Sequence, residues 1–458
     1  MVKNPASKEK GKIYFHTVDD YLTREQKLKE VSDFGSIANM TWEEIIPDKH
    51  GDWLNKKDDS FERYIPIYNK DNPDVLSIFK NYAVGICTNR DAWVYNSSKK
   101  SLLENLERTV NAYNKAIDLV LSGEDSSNIV SITGKDIAWT AGSKNRFKQL
   151  VKESVTPKNI ITAQYRPYTK QKLYYEKNPV FIERPSRWLD YYPDSLCKNS
   201  VISITGIGNK EFSCIVTSSI TDLQCLFNGQ NFPLFIYDHD KKYDGISDNA
   251  VIYFRSAYGN TPNINKEDIF YYVYGILHST EYRLKYANNL SKELPRIPRV
   301  ATYEQFKSFT EAGRKLAELH VNYESQPEYS GVTIKGEESC NYYVNQMKWG
   351  KIAGKTGNAS KDKTILIYND DITISNIPLE AQEYVVNKKS ALDWIVERAC
   401  VSTDKKSGIT NDFNQYGIEQ GNPRYPLSLF LRVITVSLET MKIVKSLPKL
   451  EIHPLDKE

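Results

Sequence analysis

Cysteine is scarce and scattered. Cys87, Cys197, Cys214, Cys225, Cys340 and Cys400 include no C-x-x-C pair, which argues against the common zinc sites and a disulfide framework, so reduced thiols are expected. No apolar run approaches the ~18 residues of a membrane-spanning helix, and Met1-Val2-Lys3-Asn4-Pro5 lacks the layout of a signal peptide. A soluble, cytoplasmic protein without membrane contact is the expectation. Neither sign of charge is in large excess: the formal charge is +3, so nucleic-acid affinity has to come from local patches. None of the six histidines pairs with another at metal-ligand spacing or with an evident Ser or Cys nucleophile. His278 and His320, inside apolar stretches, read as packed core residues.

What is present is size and aromatic character. A chain of 458 residues with 40% hydrophobic residues is long enough for two or three buried cores. Its 31 tyrosines suit surfaces that are half apolar and half hydrogen-bonding. Lys12-Ile13-Tyr14-Phe15-His16 reads as a strand, followed by a short charged helix from Thr23 to Val31. Asp91-Ala92-Trp93-Val94-Tyr95-Asn96 reads as a strand-like run. A long helix then places Leu102, Leu106, Val110, Tyr113, Ile117 and Leu121 on one face, with Ser101 and Glu104 as a capping box. The polar stretch 124–128 marks a boundary, giving units of 1–125 and 126–458.

From 130 to 245 short β-branched and aromatic runs alternate with Pro, Gly and Asn, a mainly β pattern, as in Val201-Ile202-Ser203-Ile204 and Pro233-Leu234-Phe235-Ile236-Tyr237. Helical periodicity covers 266–290 and 302–321, broken by the prolines of Leu294-Pro295-Arg296-Ile297-Pro298. A second β segment spans 332–374, and helices return at 390–401 and 425–446. The fold class is α+β: a mixed β domain with a helical scaffold.

Catalytic patterns are incomplete. Asn178-Pro179-Val180-Phe181 and Asn422-Pro423-Arg424-Tyr425 each lack the second proline of an Asn-Pro-Pro-aromatic loop, and Gly206-Ile207-Gly208 is isolated. All three read better as turns. Gly350-Lys351-Ile352-Ala353-Gly354-Lys355-Thr356 is one residue short of a phosphate-binding loop. Asp194 with Asp240-Lys241-Lys242 matches a nuclease pattern only as far as chance allows in a chain that is 26% charged. No catalytic residue, no metal site and no cofactor is expected in this chain.

Charge is segregated. Between Lys135 and Arg187 stand twelve Lys and Arg against four acids, interleaved with Trp139, Tyr165, Tyr168, Tyr174, Tyr175 and Trp188. Such a mixture suits phosphate and stacking contacts, the favoured reading, beside that of aromatics packed between strands with lysines solvating them. Arginine forks and amides suit base edges, which singles out Asn145, Arg146, Gln164, Arg166, Arg184 and Arg187, with Lys144, Tyr168, Lys170 and Lys172 beside them. A second basic stretch carries Lys348, Lys351, Lys355, Lys361 and Lys363 among three glycines, a hairpin fit for backbone contacts or for plain exposure. Thr88-Asn89-Arg90-Asp91 reads as a backbone-bonded turn or a DNA contact, the turn being favoured.

Several phrases taken in order resemble the carboxy-terminal, target-recognition region of type ISP restriction-modification enzymes. They are Thr88-Asn89-Arg90-Asp91-Ala92-Trp93-Val94-Tyr95-Asn96, Tyr165-Arg166-Pro167-Tyr168-Thr169-Lys170, Phe232-Pro233-Leu234, Glu267-Asp268-Ile269-Phe270-Tyr271-Tyr272-Val273-Tyr274-Gly275, Leu294-Pro295-Arg296-Ile297-Pro298, Ser390-Ala391-Leu392-Asp393-Trp394 and Asp404-Lys405-Lys406-Ser407-Gly408-Ile409. The resemblance implies that residues 1 to about 35 are the last strand and helix of an α/β methyltransferase sheet, followed by a connector and a recognition domain. It implies duplex DNA as partner, together with the methyltransferase core and helicase-nuclease parts of a longer enzyme. S-adenosylmethionine, ATP and magnesium would be bound by those other parts. Two alternatives stand beside it: a separately encoded specificity subunit, and a free-standing methyltransferase or nuclease.

Overall fold

A computed structural model describes residues 11–70, 72, 76–133, 136–194, 197–208, 211–238, 241–259, 263–355 and 357–457. Met1 to Pro5, Lys135, Asp240 and Thr356, all singled out above, lie outside the described residues. The chain divides into two compact units, Met1–Asp59 and Ser60–Glu458. In the first, strands Ile13–Phe15 and Glu43–Ile45 pair antiparallel, Ile13 opposite Ile45. Its helix Arg24–Asp33 begins at a Thr23/Gln26 capping box and buries no residue.

The larger unit is mixed α and β, as the sequence pattern predicts, and is built on three apolar clusters. In one, a four-stranded antiparallel sheet runs in the order Ala83–Val84, Gln230–Pro233, Val201–Ile204, Cys214–Thr217. The last three strands are wholly buried. The single run expected at 233–237 is therefore two strands, since Phe235–Asp238 leaves this sheet to pair with Lys241–Asp244. The sheet shares its apolar cluster with helices Lys266–His278 and Tyr303–Val321. These helices meet backbone to backbone, because a Cβ on Gly275 would lie 2.3 Å from the Phe309 carbonyl oxygen and one on Gly313 1.9 Å from that of Tyr271.

The helix expected to run from 266 to 290 stops at His278. The Ser279 side chain accepts from Tyr282 N and starts a new helix, Thr280–Lys285. His278 and His320 are buried as expected. Burial pushes the His320 imidazole down to about 3, and the ring meets Thr440 Oγ1 at 2.9 Å through Nε2.

The second cluster packs helix Lys99–Leu121 on a three-stranded sheet, Tyr95–Asn96, Thr169–Tyr174, Ile160–Arg166. Its cap differs from expectation. Ser98, not Ser101, is the N-cap, and the reciprocal acid is Glu419, whose carboxylate accepts from Ser98 Oγ at 2.6 Å and Lys99 N at 2.8 Å. The strand-like run before it is a helical turn, Asp91–Val94, with only Tyr95–Asn96 in the sheet. The third cluster sets a sheet ordered Thr333–Lys335, Thr373–Ser375, Lys361–Ile367, Lys348–Lys351 with helices Ala391–Arg398 and Tyr425–Lys445. No described helix is long and apolar enough to cross a membrane.

Candidate nucleic-acid interface

The Lys348–Lys351 and Lys361–Ile367 strands form the hairpin expected from the lysine- and glycine-rich text, with a register shift between Trp349 and Gly350. Gly350 and Lys351 are thus strand residues. Beside the hairpin lies a cleft of about 620 Å³ lined by Lys348, Lys351, Lys361, Lys388 and Lys389. Successive left-handed residues, Asn387 and Lys388, turn the chain at its rim. The floor is fixed by Asp393, which accepts from Trp349 Nε1 at 2.9 Å and Lys363 Nζ at 2.6 Å. Burial raises the Asp393 carboxyl, but bonding to Lys363 and Trp349 outweighs it and holds the group below its ordinary value. Lys389 pairs with Glu397. Lys348, Lys351, Lys355, Lys361 and Lys388 are exposed and have no carboxylate partner among the described residues.

The basic segment before Arg187 behaves differently. Lys144 and Asn145 are exposed on the short helix Ala141–Phe147, and Arg184 and Arg187 are exposed on the loop opposite Cys87. Lys148, Lys152, Lys158 and Lys177 are exposed as well, whereas the other candidate readers are engaged inside the fold. Arg146 Nε donates to Glu153 at 2.7 Å and its Nη1 to Gln149 at 2.9 Å. Gln164 is buried and donates to the Arg166 carbonyl at 2.8 Å. Lys170 pairs with Glu324 and lies 5.1 Å over the Tyr323 ring. Lys172 Nζ donates to Thr162 Oγ1 at 3.1 Å, and burial lowers its pKa. Tyr168 occupies a left-handed turn position with its hydroxyl on Tyr384 at 2.8 Å, inside the third cluster.

Arg166 is the most committed of these. Its side chain is 12% exposed, stacked 3.9 Å over the Tyr165 ring, and its Nη1 donates to Asp222 at 2.7 Å while Nη2 lies 3.7 Å from Asp91. The Tyr165 hydroxyl also donates to Asp91, at 3.0 Å. One guanidinium therefore faces two carboxylates. Burial first, and then the facing Asp91, push the Asp222 carboxyl up to about 7.

Thr88-Asn89-Arg90-Asp91 is a turn: Thr88 Oγ1 accepts from Arg90 N at 3.1 Å, and Asn89 is left-handed. Arg90 is sealed inside, its Nη2 donating to Thr140 Oγ1 at 2.5 Å and its Nη1 to the Val180 carbonyl. Burial lowers its pKa to about 10 against the opposing Glu183. Arg90 and Glu183, which accepts from Gly142 N at 3.1 Å, position the helix that carries Lys144 and Asn145. Neither was singled out for this role from sequence, because their partners lie 40 to 90 residues away. Asn178 and Asn422 also sit in turns, Asn178 Oδ1 accepting from Val180 N and the Asn422 carbonyl from Tyr425 N.

The described residues thus form a mixed α+β fold whose exposed lysines and arginines lie in two separate regions, the hairpin cleft and the segment that ends at Arg187. The family model for the Type ISP C-terminal specificity domain matches residues 77–429, and the chain belongs to that family. The family is the one that the phrases quoted above resemble. The nuclease-deletion mutant of the Type ISP enzyme LlaGI, solved in complex with a DNA substrate mimic, is 36% identical over 98% of this chain, with a TM-score of 0.85. LlaBIII, an ATP-dependent Type ISP enzyme bound to DNA, is 33% identical over 97%, also at 0.85, and the DrdV–DNA complex 27% identical over 96%, at 0.82. The chain covers 40%, 28% and 44% of those chains, so it spans less than half of each. No curated protein matches it.

Proposed function

We propose that this chain selects the DNA sequence on which a longer type ISP enzyme acts, holding the duplex while other parts methylate an adenine and cleave. The chain itself takes no catalytic part. S-adenosylmethionine, ATP and magnesium would be held by the methyltransferase and helicase-nuclease parts, in the cytoplasm. The observation that carries this reading is the set of exposed lysines around the hairpin cleft, Lys348, Lys351, Lys361 and Lys388, which present positive charge to solvent without an internal partner. On the other basic segment Lys144, Asn145, Arg184 and Arg187 are the groups able to reach a groove, whereas Arg166, Gln164 and Tyr168 support them from inside.

The test is duplex binding by fluorescence anisotropy across a salt series. The isolated chain is expected to bind weakly, with a steep salt dependence and little sequence preference, since the rest of the enzyme contributes to a defined groove geometry. Tight, sequence-selective binding at physiological salt would show that this chain alone forms the whole reader.

A docking role for the first unit is favoured by its own surface. Tyr14, Tyr21, Leu28 and Val31 are exposed, an apolar face suited to the methyltransferase part of the same or a partner chain. Deleting residues 1–35 is expected to leave the thermal midpoint of the remainder nearly unchanged. A cooperative loss would make the segment integral to the recognition domain.

A further inference from the structure

Three of the quoted phrases meet at one cleft that the DNA reading does not use. The turn Asp91–Val94 and Tyr95 form one wall, Tyr165 backs it, and the hairpin Val401–Thr403/Thr410–Asp412 with the end of helix Ala391–Arg398 forms the other. The hairpin is pinned to the first wall by Asn96 Nδ2, which donates to the Thr410 carbonyl at 3.1 Å, and by Asn411 Oδ1, which accepts from Ser97 N at 2.7 Å. The space is about 440 Å³, within the range of small-molecule sites.

Its chemistry is one-sided. Asp91, Glu397 and Asp404 line it with one cation among the lining residues, Arg398; Glu397 pairs with Arg398 at 2.9 Å and, on its other oxygen, with Lys389 from outside the cleft. Behind Asp91 stands the buried cluster in which Asp91 and Asp222 share only Arg166, so the region is one positive charge short. Burial first, and then the facing Asp91, raise the Asp222 carboxyl. The Asp91 side chain, which accepts from Thr88 Oγ1 and the Tyr165 hydroxyl, remains 38% exposed.

A second observation is independent of the acids. Tyr95 lines the same cleft, is 3% exposed, and its buried hydroxyl has no hydrogen-bond partner among the described residues. A buried hydroxyl left without a partner carries an uncompensated desolvation penalty, so it marks a place where a polar partner belongs. The Tyr95 and Tyr165 rings, 4.8 Å apart, add faces that attract cations.

We propose that this cleft binds a small organic cation of the polyamine class, with an ammonium donating to Asp91 and to the Tyr95 hydroxyl and the chain extending toward Glu397 and Asp404. A compact metal ion fits less well. Among the described residues no three His, Cys, Asp or Glu side chains converge as a metal needs, whereas carboxylates spread along a cleft suit spaced ammonium groups.

The test uses this chain without DNA, titrated by calorimetry with putrescine and spermidine, with sodium chloride at matched ionic strength and magnesium chloride as controls. Saturable binding of spermidine is expected, weakened about tenfold or more in Glu397→Gln and in Tyr95→Phe. Glu397 is exposed and its ion pairs with Lys389 and Arg398 lie at the surface, so its replacement is expected to leave the fold intact, checked by an unchanged thermal midpoint. Ser402→Lys, which brings a tethered ammonium into the cleft while removing no acid, should abolish binding, and Lys348→Gln in the basic cleft should leave it unchanged. No saturable binding, binding matched by magnesium, or binding indifferent to Glu397→Gln and Ser402→Lys overturns the proposal.

Discussion

Within the segment that ends at Arg187, the cations include several that are answered inside the fold, Arg146 by Glu153, Arg166 by Asp222 and Lys170 by Glu324. On the hairpin, Lys348, Lys351 and Lys361 stand in solvent beside a cleft. Both stretches are basic in sequence. The difference teaches that a charge excess marks a binding surface only after the charges used for folding are set aside. Removing a cation of the first kind should cost stability, and removing one of the second kind should cost binding.

The largest effect is expected at Arg166. Arg166→Ala leaves Asp222 buried beside Asp91 without a cation, and about 3–5 kcal/mol of stability should go, read as a lower denaturant midpoint. An unchanged midpoint together with relaxed base preference in the longer enzyme would instead make Arg166 a base reader. The same cluster gives a pH signature. The Asp222 carboxyl is raised from 3.8 to about 7, so the folded state binds this proton more tightly than the unfolded chain. Its contribution to stability is present in full below the unfolded value and is lost as pH rises to about 7. Asp222→Asn should flatten that part of the stability profile; an identical slope in both proteins would assign it to other groups.

A smaller loss, about 1 kcal/mol, is expected for Tyr168→Phe, which removes the hydroxyl bond to Tyr384 without opening a cavity. If Tyr168 stacked on DNA, the ring kept by Phe would preserve affinity and stability alike. The smallest effect on stability belongs to Lys351→Ala with Lys355→Ala, within about 0.5 kcal/mol. There the change should appear in binding, as a salt slope reduced by about one unit for each phosphate no longer neutralised, equally for all sequences. A changed base preference would exchange the roles assigned to the two regions.

Local pattern made much of this fold legible. The faces of Lys99–Leu121, Tyr303–Val321 and Tyr425–Lys445 follow from apolar spacing, and the 348–367 hairpin from its glycines and strand residues. What stayed hidden depends on distant partners. The cap of Lys99–Leu121 is completed by Glu419, 320 residues along the chain, and the turn at Asp91 is bonded by Tyr165, 74 residues on. The same reason separates the two basic regions: Asp222 is 56 residues from Arg166 and Glu324 is 154 from Lys170, distances at which no sequence window shows a pair. Exposed candidates such as Lys351 were legible because nothing remote claims them.

The glycine contact between Lys266–His278 and Tyr303–Val321 bears on the order in which the molecule assembles. Gly275 and Gly313 are near in sequence, so this helical pair closes a short loop and can form early. Ala83–Val84 must wait for Gln230–Pro233, and Asn96 for Thr410, pairings that close far longer loops. During synthesis Ala83–Val84 and Asn96 leave the ribosome well before these later partners do. Pulse-labelled hydrogen exchange should therefore show Tyr272–His278 protected before Ile86 and Tyr95, and a chaperone that shelters the early stretch would raise the yield of folded protein more than one acting after release.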